Sequence, residues 1–204
     1  MKRVAKVYVT DLDQLLWFRR IESMTTEELV SRLRRETPPE PHMLAGSAWH
    51  KVLEDHPGGM IEGTIERDGF TFDVRAEAVV ELPQIAELRG YEMFRVNGVD
   101  VILSGRLDGC TGHALADYKL TSKLNPESYY DSAQWRAYLS IFGCREFRYT
   151  LFKRYQKLFH VRIDEVFPFT LYRYRGMEDD LRRSISGYLE FCREYVPEKI
   201  GARP

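Results

Sequence analysis

The sequence predicts an α/β (α+β) fold, a central mixed β-sheet flanked by helices, with extra helices before it and one after it. Three observations carry this prediction. Strand-like runs cluster in the middle of the chain, at 91–96, 99–107 and 114–120. Segments with helical spacing and helix-end signals lie on both sides, near 12–55, 125–142 and 178–195. The 204 residues, 44% hydrophobic and 13% aromatic, suffice for one sizeable core with elaborations.

Taken in order, residues 1–10 hold KVYV, a short strand or an ordered arm, and Leu12 to Arg20 reads as a helix with Asp11 or Asp13 near its start. Thr25-Thr26-Glu27-Glu28 opens a second helix, and Arg32, Arg34 and Arg35 close it, which suits the helix dipole. Thr37-Pro38-Pro39-Glu40-Pro41 is a linker. Leu44 to Asp55 is the next helix, stopped by His56-Pro57-Gly58-Gly59, with His50 and Glu54 four apart on one face. Residues 61–75 alternate around Arg67-Asp68-Gly69, an elaborating hairpin. The stretch from Ala76 to Gly90 stays open between helix and loop, with Pro83 interrupting it. Asn97-Gly98 is the strongest hairpin signal in the chain. Glu92, just before it, reads as a solvated strand residue or one reaching a metal through water.

Downstream, Asn125-Pro126-Glu127 starts a helix running to about Phe142 and ending at Gly143. Glu146 to Arg154 is a strand, Leu158 to Tyr174 adds one or two more, and Glu178 to Tyr195 is an amphipathic helix closed by Val196-Pro197.

The chemistry concentrates between Gly105 and Tyr138: GRLDG, LADYKLTS and QWRAY. A turn at Thr111-Gly112 pairs Asp108 with Leu115 and Arg106 with Asp117. Asp108, Asp117 and Lys119 then share one face, the carboxylates diagonal neighbours roughly 7–8 Å apart. A slip of one residue would separate them. Two carboxylates and a lysine on one face suit metal-assisted phosphodiester cleavage, because Mg²⁺ and Mn²⁺ prefer oxygen ligands and activate water. Lys119 would orient or deprotonate that water, or neutralise charge. A bare D-x-K in a strand equally makes a solvated cross-strand ion pair. Against that, the VDVILSGRL and ALADYKL runs are otherwise apolar, and carboxylates ending a buried strand need partners or a metal.

G-R-L-D-G, D-Y-K and Q-x-x-x-Y, in this order, resemble the RecB-like branch of the PD-(D/E)XK nuclease superfamily, which includes phage-type exonucleases. Upstream, GSAWHKVLE is similar to the branch's extra helix, whose histidine joins the metal site. The resemblance covers roughly residues 44–155, with an echo in VTDLDQLLWFRR. It departs from the commoner pattern in having Asp117 where Glu is usual.

The resemblance implies a restriction-endonuclease-like core in a single domain, 1–204: a helical elaboration over 1–43, a catalytic core over 44–155, and strands with the C-terminal helix over 156–204. It implies Mg²⁺ or Mn²⁺ held by His50, Asp108, Asp117 and the Tyr118 carbonyl, with Lys119 assisting water. It also implies Gln134 and Tyr138 against the substrate backbone, with Thr121 and Lys123 near phosphates. The expected activity is exonucleolytic hydrolysis of DNA from free ends, on single strands, in recombination, repair or phage DNA metabolism. A structure- or site-specific endonuclease on the same core, or a non-catalytic DNA-binding or partner module, are the alternatives. DNA is the expected partner, alongside a separate helicase, recombinase or single-strand-binding protein, because the chain has no Walker A pattern.

Composition narrows the rest. Three widely spaced cysteines, Cys110, Cys144 and Cys192, argue for a reducing compartment and cannot supply the four ligands of an iron–sulfur cluster, so none is expected. No apolar run approaches the roughly 18 residues of a membrane span, and MKRVAKVYVTDLDQ lacks an apolar signal-peptide core, so a cytoplasmic location is expected. The net charge is −1, unevenly spread: 54–100 holds eleven acidic and four basic residues, 145–175 eight basic and three acidic. The basic run REFRYTLFKRYQKLFHVR reads either as a groove tracking phosphates and bases or as a hairpin with a solvated basic face.

Overall fold

The computed structural model describes residues 4–75 and 82–201. Its centre is strand β5 (Val99–Thr111), which pairs along one edge with the antiparallel strand β4 (Ile85–Val96). Two strands share the other edge: β1 (Val4–Tyr8) lies parallel against 100–104, and β6 (Ala114–Thr121) lies antiparallel against 109–111. Between them, residues 105–108 have no strand partner on that edge among the described residues. The sheet is split there, beside Asp108.

Beyond β6 come β7 (Glu146–Lys157), parallel to it, and β8 (His160–Tyr172), antiparallel to β7. The hairpin β2 (Gly63–Arg67) and β3 (Phe70–Val74) completes an eight-stranded mixed sheet, with β3 parallel to β8. The hairpin expected at 61–75 is therefore a continuation of the main sheet. Asp68-Gly69 (φ 48° and 79°) and Asn97-Gly98 (φ 50° and 77°) both have two left-handed central residues, the type I′ geometry that matches strand twist.

Two cores form, one on each sheet face. Helices α1 (Val9–Phe18), α2 (Thr26–Leu33), α4 (Ala133–Ile141) and α5 (Met177–Tyr195) enclose the first with Leu103, Leu107, Phe147 and Tyr149. Helix α3 (Pro41–Glu54) covers the second, where Trp49 lies 5.1 Å from both Phe72 and Phe152. Glycine makes the first contact possible: a Cβ on Gly105 would stand 2.7 Å from the Tyr138 ring and 2.9 Å from Val9.

Several expectations change. The β5–β6 turn is Gly112-His113, and the register pairs Cys110 with Leu115, two residues from the prediction. Gly112, at φ 59°, occupies the first central position, where a type II′ turn wants glycine. A shift of two would preserve side-chain parity, but the ladder stops at Gly109 and Ala116, so Asp108 has no paired partner on β6 and turns instead to His50 of helix α3. The helix expected from 125 begins as a 3-10 turn, Pro126–Tyr129, and α4 restarts after a break, with Ser132 as N-cap. The open stretch resolves into strand from Ile85 onward, while 76–81 lie outside the described residues. Helix α3 starts at Pro41, at the first helical position where proline loses no hydrogen bond.

The stretch from Val4 to Met43 also contributes a strand to the sheet. Val7 and Ala5 are buried in the central sheet, and α1 packs on α4. Asp11 lies in the first turn of α1, as expected, behind an N-cap, Tyr8, that makes no side-chain bond. Asp11 is buried between Arg35, 2.5 Å away, and Lys199, 3.0 Å away. No helix among the described residues is long and apolar enough to cross a membrane.

Candidate active site

The site lies where β5 and β6 part. The ladder ends at Gly109 and Ala116, and the Tyr118 N–H then donates to Asp108 Oδ2 at 2.9 Å instead of to a strand carbonyl. A side chain has taken over a backbone partner, which pins the carboxylate in the split. Helix α3 brings His50 to the same oxygen, its Nδ1 3.2 Å from Asp108 Oδ2. Trp49, fully buried in the second core, fixes the helix rotation that aims His50.

On β6, Asp117 and Lys119 alternate onto the first-core face, and Lys119 Nζ lies 2.6 Å from Asp117 Oδ2. Gln134, in the first turn of α4, donates from Nε2 to Asp117 Oδ1 at 2.9 Å. Asp117 Oδ2 is buried without an aligned hydrogen bond, so the ammonium alone compensates it. The structure thus brings His50, Asp108, Asp117, Lys119 and Gln134 together.

Burial governs the electrostatics. It pushes the Asp117 carboxyl up to about 7, with Lys119 pulling down and Asp108 pushing further up. Burial also opposes the Lys119 ammonium, but the charges of Asp117, Tyr149 and Asp108 more than offset it, and its pKa is raised. Burial disfavours charge on both His50 and Asp108 too, yet their contact wins: His50 is raised and Asp108 lowered. Both carboxylates are therefore held by cations of the chain itself.

The donor set fits a hard divalent cation in kind: two carboxylates, one with a buried oxygen whose sole partner is the Lys119 ammonium, and an imidazole. No three His, Cys, Asp or Glu side chains among the described residues converge as a ready-formed cation cage. Binding would replace the Lys119 and His50 contacts with ligation.

Other predicted residues fall differently. Tyr138 is enclosed in the first core, and its hydroxyl donates to the Arg106 carbonyl at 2.6 Å. It supports the split strand from within the first core. Gln134 is likewise buried and spends its amide on Asp117, so it acts on the carboxylate. Thr121 Oγ1 donates to the Lys123 carbonyl at 3.0 Å, a local turn at the strand exit, with Lys123 exposed. Glu92 lies opposite Leu103 and is half-buried, with its Oε2 enclosed and unbonded. In the basic run Lys153 pairs with Glu165 and Arg162 with Asp164, and beyond it Arg173 pairs with Glu178, so part of the charge is neutralised locally.

Sequence reasoning missed three acidic neighbours. Glu54 shares a small cleft with His50, Asp108, Pro83 and Tyr118, and the His50–Glu54 spacing was the available signal. Glu87 sits at a left-handed φ of 53°, drops out of the β4–β5 pairing and binds Arg106 at 2.5 Å. Burial and the Glu87 carboxyl together raise the pKa of Glu54. Asp13 of α1 reaches the start of α4, accepting from Ser132 Oγ at 2.6 Å and Ala133 N–H at 2.8 Å. No sequence signal links residues 119 and 120 positions apart.

No protein-family model matches the chain, and no curated protein matches it significantly. Solved structures do. The chain is similar to SSO0001 (14% identity, TM-score 0.52, covering 100% of this chain and 81% of that one). It is also similar to a phage related exonuclease from Haemophilus somnus 129PT (11%, TM-score 0.51, covering 95% and 96%). An alkaline exonuclease from Laribacter hongkongensis aligns at 15% identity and TM-score 0.47, covering 98% and 94%. At such identities the likeness is one of fold: a mixed sheet with flanking helices, consistent with a restriction-endonuclease-like architecture.

Proposed function

We propose that this chain is a divalent-metal-dependent deoxyribonuclease that hydrolyses phosphodiester bonds from free DNA ends. One observation carries the reading: Asp108, Asp117, Lys119 and His50, drawn from three elements, meet at the single split of the sheet described here. Such a concentration of buried charge is costly unless it has a task.

Mg²⁺ or Mn²⁺, held by Asp108, Asp117, His50 and the Tyr118 carbonyl, would polarise the phosphoryl oxygen and make water acidic. The chain's own residues do the positioning. Gln134 fixes Asp117 through Oδ1 and leaves Oδ2 directed at the site. Lys119, holding its proton at Nζ, orients the attacking water and offsets charge gathering on the phosphate. Water attacks phosphorus, the P–O bond to the departing nucleotide breaks, and that oxygen takes up a proton. Thr121, the last residue of β6, and Lys123 just after it would meet phosphates of the strand, a role carried from the family resemblance. Single-strand preference, and work beside a separate helicase, recombinase or single-strand-binding protein in a cytoplasmic setting, extend this reading from the family resemblance.

A second reading, a DNA-binding module without catalysis, is favoured by one observation: each carboxylate already has a cationic partner. One experiment separates these readings. Linear single- and double-stranded DNA, labelled separately at each end, is incubated with closed circles and Mg²⁺, Mn²⁺ or EDTA, using wild type and Lys119→Ala. Metal-dependent loss of linear DNA, spared circles and an inactive variant support the exonuclease. Cut circles point to an endonuclease, and DNA bound in EDTA without cleavage in either metal points to the module.

A further inference from the structure

We propose that Asp13 is a positioning residue for Asp117, acting through the N-terminus of α4; the inference rests on the nuclease reading above. The relay is continuous. Asp13 Oδ1 accepts the Ser132 hydroxyl proton at 2.6 Å and the Ala133 N–H at 2.8 Å. With its proton committed to Asp13, the Ser132 hydroxyl presents a lone pair to the Gln134 N–H, 3.1 Å away. Gln134 then passes the alignment on, donating from Nε2 to Asp117 Oδ1 at 2.9 Å.

The geometry points beyond an ordinary cap. Ser132 alone satisfies the N-cap of α4, as such residues do in isolated helices. Asp13 adds a second anchor from a different helix, and it locks the rotor on which the first anchor depends. Ser132, Ala133 and Gln134 are all buried, while Asp13 is half-buried. Because Gln134 holds only Oδ1, a tilt of the first turn of α4 would rotate the carboxylate and redirect Oδ2, the oxygen left for the cation. Partners of metal-ligating groups characteristically change metal affinity or activity by about 10–100-fold when removed.

The test uses the full chain and two readouts. Manganese binding to the metal-free protein is measured by titration calorimetry without DNA, and kcat and KM are measured on end-labelled DNA. Asp13→Ala is expected to weaken Mn²⁺ binding and lower kcat about tenfold or more, with KM little changed. Asp13→Asn, whose side-chain oxygen can accept both bonds, is expected to restore most of each. Asp13→Ala combined with Gln134→Ala should be no worse than Gln134→Ala alone, because both cut one relay. If Asp13→Ala fails to fold by circular dichroism, Ser132→Ala removes the same link and is held to the same expectations. Wild-type Mn²⁺ affinity and kcat in a folded Asp13→Ala, or additive losses in the double variant, would overturn the proposal. A wild type that neither binds Mn²⁺ nor cuts DNA would overturn the nuclease reading and this inference with it. A wild type that does both, beside an unaffected Asp13 variant, would overturn this inference alone.

Discussion

His50 Nδ1 lies 3.2 Å from Asp108 Oδ2, and this contact ties helix α3 to the point where β5 and β6 separate. The two residues are 58 positions apart and come from a helix and a strand, so the contact reports the assembled fold. Their shifts have opposite signs: burial is overcome in both, raising His50 and lowering Asp108.

In the cation-free protein His50 is therefore expected to titrate above its ordinary 6.5, read from its imidazole proton resonances. In Asp108→Asn, burial acts without its counterweight and the midpoint should fall below that value. The stabilising contribution is fully present below pH 6.5 and is lost as pH rises through the raised midpoint. For Asp108 it is present above 3.8 and lost as pH falls through the lowered value. An unshifted His50 would remove the contact from the account.

Lys119→Ala is expected to slow single-turnover cleavage by about 10²–10³-fold, the usual loss when one preorganised charge partner is removed. DNA affinity, measured by anisotropy in EDTA, should change only a few-fold, since Lys119 is largely enclosed by Asp117 and the Tyr149 ring.

Trp49→Ala should cost about 3–5 kcal/mol in urea unfolding, as large buried aromatics do. The lost contacts with Phe72 and Phe152 also free α3, so residual folded protein should show His50 returning toward its ordinary titration.

Gly105→Ala places a methyl 2.7 Å from the Tyr138 ring and 2.9 Å from Val9, in a packed interior. A loss of about 1–3 kcal/mol is expected from such overpacking, read by denaturant titration. Wild-type stability would mean that α4 sits further from β5 than described.

Removal of residues 1–42 is expected to abolish cooperative unfolding, followed by circular dichroism on heating. It deletes β1 from the sheet centre and exposes the β5 edge at 100–104, along with α1 beneath α4. A folded, cooperative fragment would show that β1 is dispensable.

Much of the site was legible because its signals are local. Parity along a strand put Asp117 and Lys119 on one face, whereas Asp108 is held by the Tyr118 N–H and His50 where the β5–β6 pairing has already ended, which parity does not foretell. The type I′ turns at Asp68-Gly69 and Asn97-Gly98 were readable for the same reason: glycine and asparagine or aspartate are the residues that adopt left-handed backbone. The break before α4 was not legible. Residues 125–142 carry good helical spacing, and the interruption at Ser132 coincides with the long-range bonds from Asp13.

By itself the sequence determined the alternation that pairs Asp117 with Lys119, the turn residues, the helix ends and the apolar faces, because each rests on neighbours a few bonds apart. Only the tertiary structure decided that β1 and β6 share one edge of β5 and leave a split at 105–108. It alone brought His50 across to Asp108, set Glu87 beside Glu54, and carried Asp13 to the start of α4. Those relations depend on how sheet faces and helices pack to bury both cores at once, a condition on the whole chain that no short window of residues contains.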